Sequence, residues 1–156
     1  WDNESHEVQK TWFIRQLELA RELDMPVIIH SREAAADTLQ IMKEHARGLE
    51  GVIHCFSYSA EMAREYVKMG FYIGVGGVVT FKNSRKLKEV VEEIPLEYLL
   101  LETDCPYLAP VPNRGKRNSS LNLVYVAEQI AGLKQLTYDE VVEQTEKNAR
   151  RLYNLL

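Results

Sequence analysis

Four short apolar runs set the terms for any fold of this chain. They are "VIIH" at 27–30, "GVIHCF" at 51–56, "FYIGVGGVV" at 71–79 and "EYLLLETD" at 97–104, and they recur at intervals of roughly 20 to 30 residues. A strand covered on both faces reads as an unbroken apolar run. The stretches between them are patterned as helices, so the chain alternates strand and helix, the signature of a parallel sheet in an α/β fold.

The helical stretches can be placed by their punctuation. Residues 7–23 carry Val8, Trp12, Leu19 and Leu23 at amphipathic spacing, which assigns Trp12 to the core. Ser31 stands where it would cap the alanine-rich helix of "SREAAADTLQIMKEHA". Ser59 is the expected N-cap of "SAEMAREYVKMG", with Tyr66 on its core face and Gly70 as a left-handed stop. Further helices are expected over 84–93 and 121–133, and a capping box at Thr137 and Glu140 starts a last one that runs toward Tyr153 with an interruption near Thr145. Gly74, Gly76 and Gly77 suit close approach of backbone to a site or neighbour.

Two architectures use such a pattern, an open doubly wound sheet and a (β/α)8 barrel. No Gly-rich phosphate loop follows any strand, whereas ligand-type residues stand at the C-terminal ends of three strands, where barrel enzymes keep their sites. The barrel is favoured. A whole one needs about 250 residues, so these 156 residues make a partial TIM-type barrel of about four parallel strands with flanking helices and the N-terminal strands missing. Residues 1–156 are read as the C-terminal portion of a single barrel domain, and the opening at Trp1 without a methionine fits a missing front portion.

With 46% apolar and 27% charged residues the composition is that of an ordinary globular domain. Apolar runs fall far short of the roughly 18 residues of a spanning helix, and no basic segment leads into one as in a signal peptide. No membrane association and a cytoplasmic location are the expectations. A net charge of −4 argues against a broad phosphate-binding surface, leaving one local basic patch at Arg114, Lys116 and Arg117 in "PVPNRGKRN". Cys55 and Cys105 each follow a ligand-type residue, and outward-pointing packing roles explain them better than a disulfide.

His30 ends the first strand, His54 nearly ends the second and Asp104 ends the fourth, so all three rise from one rim. Two imidazoles and a carboxylate suit Zn²⁺, Mn²⁺ or a similar borderline ion. Glu102 shares a face with Asp104 and is placed to orient a ligand from one layer below. From the residues alone, a metal site and three unrelated rim residues, hydrogen-bonded or capping, stay open as alternatives. His6 and His45 fall on polar helix faces and read as surface residues. No GxSxG elbow, Walker loop or HExxH occurs, which excludes the serine-hydrolase, P-loop and zincin readings.

Six pieces in order, "PVIIHSREA", "HCFS", "YIGVGG", "LLLETDCPYLAP", "RGKRN" and "NARRLYNL", make the chain resemble the TatD-type metal-dependent deoxyribonucleases of the amidohydrolase superfamily. The resemblance implies a (β/α)8 barrel with two divalent metal ions (Mg, Mn or Zn) at its mouth, a DNA substrate, and phosphodiester hydrolysis as a 3′ to 5′ exonuclease. On it His30 and His54 correspond to ligands of one metal, and Asp104 to the catalytic aspartate that holds the other metal and the attacking water. Arg32, Arg114, Lys116 and Arg117 become candidate phosphate contacts. An H-x-H and a glutamate before a G-L-D segment are absent here, and "WDNESHEVQK" resembles the family's segment just past that glutamate strand. The chain alone is therefore expected to be inactive. Tyr58 replaces a glycine and is expected to narrow the mouth, and Ser119 and Ser120 replace a Glu-Pro pair. The rival expectation is a catalytically incomplete fragment or degenerate copy that self-associates through an exposed sheet edge. A weaker one keeps the metals and changes the substrate to an amide or small phosphoester.

Overall fold

The structure, a computed structural model, describes residues 4–155; residues 1–3, which begin the "WDNESHEVQK" resemblance, lie outside them. Helix α1 (His6–Glu22) is capped by the Ser5 side chain, which accepts from the Val8 N–H at 3.3 Å. Strand and helix then alternate through β1 (Val27–His30), α2 (Ala35–His45), β2 (Gly51–His54), α3 (Ala60–Lys68), β3 (Tyr72–Val75), α4 (Arg85–Glu93) and β4 (Leu99–Leu101). Helices α5 (Leu123–Lys134) and α6 (Tyr138–Leu152) come after a long loop that leaves β4. The four strands form one parallel sheet in the order β1-β2-β3-β4, as the run spacing predicts.

Side-chain alternation gives this sheet two different faces. Ile29, Ile53, Ile73, Val75 and Leu99 enter the main core with Leu17, Met42, Tyr66, Val90 and Ile130 from the helices. Val52, Tyr72 and Leu100 point the other way and are covered by Leu152 and Ala149 of α6. Ile28 stands on that second face at the β1 edge, in register with Val52, and is 63% exposed. His30 and His54 share the same parity and are register partners, so the second face also carries the histidines to its C-terminal rim.

The local signals at Ser59, Gly70, Thr137 and Glu140 act as expected. Ser59 accepts from the Met62 N–H, Gly70 takes φ +89° just past α3, and Thr137 and Glu140 cap α6 reciprocally. Five expectations are overturned. Ser31 does not cap α2: Ala34 holds the N-cap position without a side-chain bond, and the Ser31 hydroxyl is engaged by Thr38 and Tyr58, each at 2.8 Å. Trp12 is 63% exposed, because Phe13, Ile14 and Leu17 carry the core-facing side of α1. Helix α6 runs unbroken through Thr145, whose hydroxyl donates to the Val141 carbonyl inside the helix and so needs no interruption. Strand β4 is only three residues long, and Leu96–Tyr98 before it is a single 3₁₀ turn. Likewise the third apolar run leaves the sheet at Val75 and tightens into a 3₁₀ turn over Gly77–Thr80.

Candidate metal centre

The site begins with a buried acid. Glu102 comes directly after the last residue of β4, its N–H donating to the Val75 carbonyl at 3.2 Å, and its side chain is 15% exposed. A carboxylate is costly to bury without partners. One oxygen, Oε2, receives the Nδ1–H of His54 in a short contact and the Cys55 N–H at 3.0 Å. The other, Oε1, is buried with no hydrogen-bond partner among the described residues.

Glycines make the room for this acid. A Cβ at Gly74 would lie 3.0 Å from Glu102 Oε2, and one at Gly76 would lie 3.0 Å from Oε1. Gly77 is tighter still, with a Cβ there 2.2 Å from the Leu108 carbonyl oxygen. The glycine-rich end of the third run is thus the slot that receives Glu102 and the 104–110 loop.

His54 is held between two acids. With Nδ1 on Glu102, its other nitrogen, Nε2, lies 3.3 Å from Asp104 Oδ1. A carboxylate behind one imidazole nitrogen fixes the tautomer that leaves the far nitrogen free to ligate. Two donors bound at about 2.1 Å to one tetrahedral ion sit about 3.4 Å apart, so the spacing fits a cation shared by His54 and Asp104, two residues that the resemblance divides between two metals. His30 adds a second imidazole whose ring centroid is 5.7 Å from that of His54. Among the described residues no three His, Cys, Asp or Glu side chains close around a single point. The donor set and the shared 3.3 Å spacing suit a cation.

The parallel sheet with its flanking helices is matched by known proteins. The family model of TatD-related DNases matches residues 1–154. The chain belongs to this family. It is 51% identical to a TatD-family relative, YabD of Bacillus subtilis, named an uncharacterized metal-dependent hydrolase, over 99% of the chain and 61% of YabD. With YcfH of Escherichia coli, named likewise, identity is 43% over 94% of the chain and 56% of that protein. The crystal structure of YjjV, a TatD homologue from Escherichia coli K12, superposes with a TM-score of 0.89 at 32% identity, covering 96% of the chain and 58% of YjjV. A TatD-family hydrolase from Entamoeba histolytica shares the fold with a TM-score of 0.84 at 24% identity. The chain thus spans less than two thirds of the length of these TatD relatives, and the four strands with their flanking helices are the barrel-type fold of its structural neighbours.

Several residues lie elsewhere than this TatD reading of the sequence expects. The Tyr58 ring packs edge-on against Phe56 and its hydroxyl joins Ser31, linking the segments that leave β1 and β2. Both cysteines are free thiols, and neither is a plain packing residue. Cys105 is exposed, with Sγ 2.7 Å from the Thr103 hydroxyl. Cys55 takes the left-handed φ of +48° as the chain leaves β2. Burial, then the Glu102 and Asp104 charges, push its thiol up to about 11, so it stays protonated at neutral pH.

The four candidate phosphate contacts are all exposed: Arg32 lies just past β1, Arg114 lies over the Phe81 ring at 4.3 Å, and Lys116 and Arg117 continue the same loop. None of them lines the cavity of about 480 Å³ that opens beside Glu102 and Asp104. That cavity is lined instead by Phe56, Val78, Asn83, Lys86, Leu87 and Leu108 among others. Sequence reasoning passes over these residues, because a lysine in the first turn of a surface helix carries no motif; only the glycines before it hint at a nearby recess.

Proposed function

We propose that the protein is a metal-dependent hydrolase of DNA phosphodiester bonds that removes nucleotides from the 3′ end. One observation carries the reading: His54 is clasped between Glu102 on Nδ1 and Asp104 at 3.3 Å from Nε2, at the C-terminal rim of a parallel sheet. Membership of the TatD-related DNase family and the metal-dependent hydrolases among its relatives support it.

In this account His54, Asp104 and His30 hold divalent ions, two in the intact site, of Mg, Mn or Zn type. Bound there, such ions lower the pKa of water and shield the charge of the phosphodiester. The chain's own residues do the remaining work. Glu102 keeps His54 in the ligating tautomer, and the Cys55 N–H holds Glu102 in turn. Asp104, more open than Glu102, orients the attacking water and accepts its proton. Arg32, Arg114, Lys116 and Arg117, all exposed, are the residues assigned to attract the DNA backbone.

The test uses the protein with any upstream sequence its gene encodes, and oligonucleotides labelled at the 5′ end. A ladder shortening from the 3′ end, abolished by chelator and restored by Mg²⁺, Mn²⁺ or Zn²⁺, is expected. Asp104→Asn should lower the rate by about 10² to 10⁴-fold while the far-UV circular dichroism is unchanged. Cleavage that survives chelation, or an Asp104→Asn enzyme at full rate, contradicts the proposal.

A further inference from the structure

The two imidazoles at the rim are held differently. His54 has Glu102 on Nδ1, whereas the His30 ring has no hydrogen bond or ion pair among the described residues and stands 5.7 Å from the His54 ring, centroid to centroid. His30 is also the last residue of β1, which lies at one edge of the described sheet and pairs with β2 alone. Where its ring stands therefore depends on how the chain is fixed at the next residue.

That residue is Ser31, and it is gripped from two sides. Its hydroxyl lies 2.8 Å from Thr38 Oγ1 and 2.8 Å from the Tyr58 hydroxyl. A serine carries one hydroxyl proton, so it donates to one neighbour and accepts from the other. Both neighbours are firmly seated. Thr38 is a buried residue of α2. Tyr58 is half-buried against the main core, its ring edge-on to Phe56 at 5.8 Å, and Phe56 is edge-on to the buried Tyr66 at 6.3 Å. The segment that carries Tyr58 is pinned before and after it, since the Phe56 N–H donates to the Gly74 carbonyl at 3.1 Å and Ser59 caps α3. The phenol thus reaches from the segment after His54 to the residue directly after His30, 27 positions away.

We propose that Tyr58 is a positioning residue of the metal centre, which through Ser31 sets the His30 ring against the His54 ring. The proposal rests on the hydrolase reading for the ions at that rim and goes beyond it in giving Tyr58 and Ser31 a task there. Tyr58 touches no ion itself. Partners that orient a metal ligand from behind typically change affinity about 10 to 100-fold when removed, and the Tyr58 hydroxyl acts one residue further back, through the backbone of His30.

The test has one arm without metal and one with it, on the chain with any upstream sequence its gene encodes. Without metal, Overhauser cross-peaks between the His30 and His54 ring protons should be present in the wild type and weakened in Tyr58→Phe, which keeps the ring and its edge contact with Phe56. With Mn²⁺, followed by the paramagnetic resonance of the free ion, Tyr58→Phe should bind about tenfold more weakly. Ser31→Ala should do the same, and adding Tyr58→Phe to it should cost nothing more, because both remove one bond. In a His30→Ala chain the Tyr58→Phe change should be silent, which a general loss of folded structure would not produce. Unchanged cross-peaks in Tyr58→Phe, wild-type Mn²⁺ affinity in that variant, or an equal loss on the His30→Ala background overturns the proposal. A wild-type chain that binds no Mn²⁺ overturns the hydrolase reading instead, and the metal-free cross-peaks then decide the positioning role alone.

Discussion

Tyr66 and Glu102 each leave one buried oxygen without a partner among the described residues. Only Glu102 stands beside a candidate metal ligand, its other oxygen accepting from His54. Tyr66 lies in the main core, edge-on to Phe56, and burial, with a smaller contribution from Tyr58, pushes its phenol up to about 12. Tyr66→Phe keeps the ring and removes the unsatisfied hydroxyl. It should raise stability in urea unfolding by up to about 1 kcal/mol at pH 7. The sign with pH comes from proton binding: between pH 10 and 12 the folded state holds a proton that the unfolded chain releases, so wild-type stability falls across that window. Tyr66→Phe should lack that fall, and a variant that loses stability in parallel with wild type contradicts the account. At the rim, Glu102→Gln should weaken Zn²⁺ or Mn²⁺ binding about 10 to 100-fold in calorimetric titration; unchanged affinity would mean that the carboxylate does not orient His54.

At the scale of elements, the fold is readable where local chemistry and tertiary demand agree. The runs at 27–30 and 51–54 are strands, and Ser59, Gly70 and the Thr137-Glu140 box mark helix ends as they do elsewhere. Local rules fail where a tertiary partner overrides them. Ser31 has the chemistry of a cap but meets Tyr58, a residue 27 positions away that no local window includes. Trp12 sits at core spacing but points away from the one sheet that α1 serves. The four site residues His30, His54, Glu102 and Asp104 are visible in the sequence because parity and strand ends place them, whereas the cavity wall is assembled from three separate loops and a helix start. Gly77 joins two of those segments. Gly77→Ala would drive a Cβ to 2.2 Å from the Leu108 carbonyl, so it should cost about 1–3 kcal/mol in urea unfolding. A variant within a few tenths of wild type would show that the 104–110 loop can retreat freely.

Across the whole molecule, the sheet divides the work between its faces. One face carries the large core with α1 to α5 and Val141 of α6, and stability resides there. The other is lightly covered by α6 at one end, open at Ile28, and delivers His30, His54 and Glu102 to a common rim. No helix among the described residues is long and apolar enough to cross a membrane. The central claim is that His54 and Asp104 are two ligands of one divalent ion, and a crystal structure of the protein grown with Mn²⁺, with anomalous data, tests it most directly. The account predicts an anomalous peak at ligand distance, about 2.1 Å, from both His54 Nε2 and Asp104 Oδ1. A map with no peak there, or with the ion held by other residues while His54 and Asp104 face apart, would contradict it.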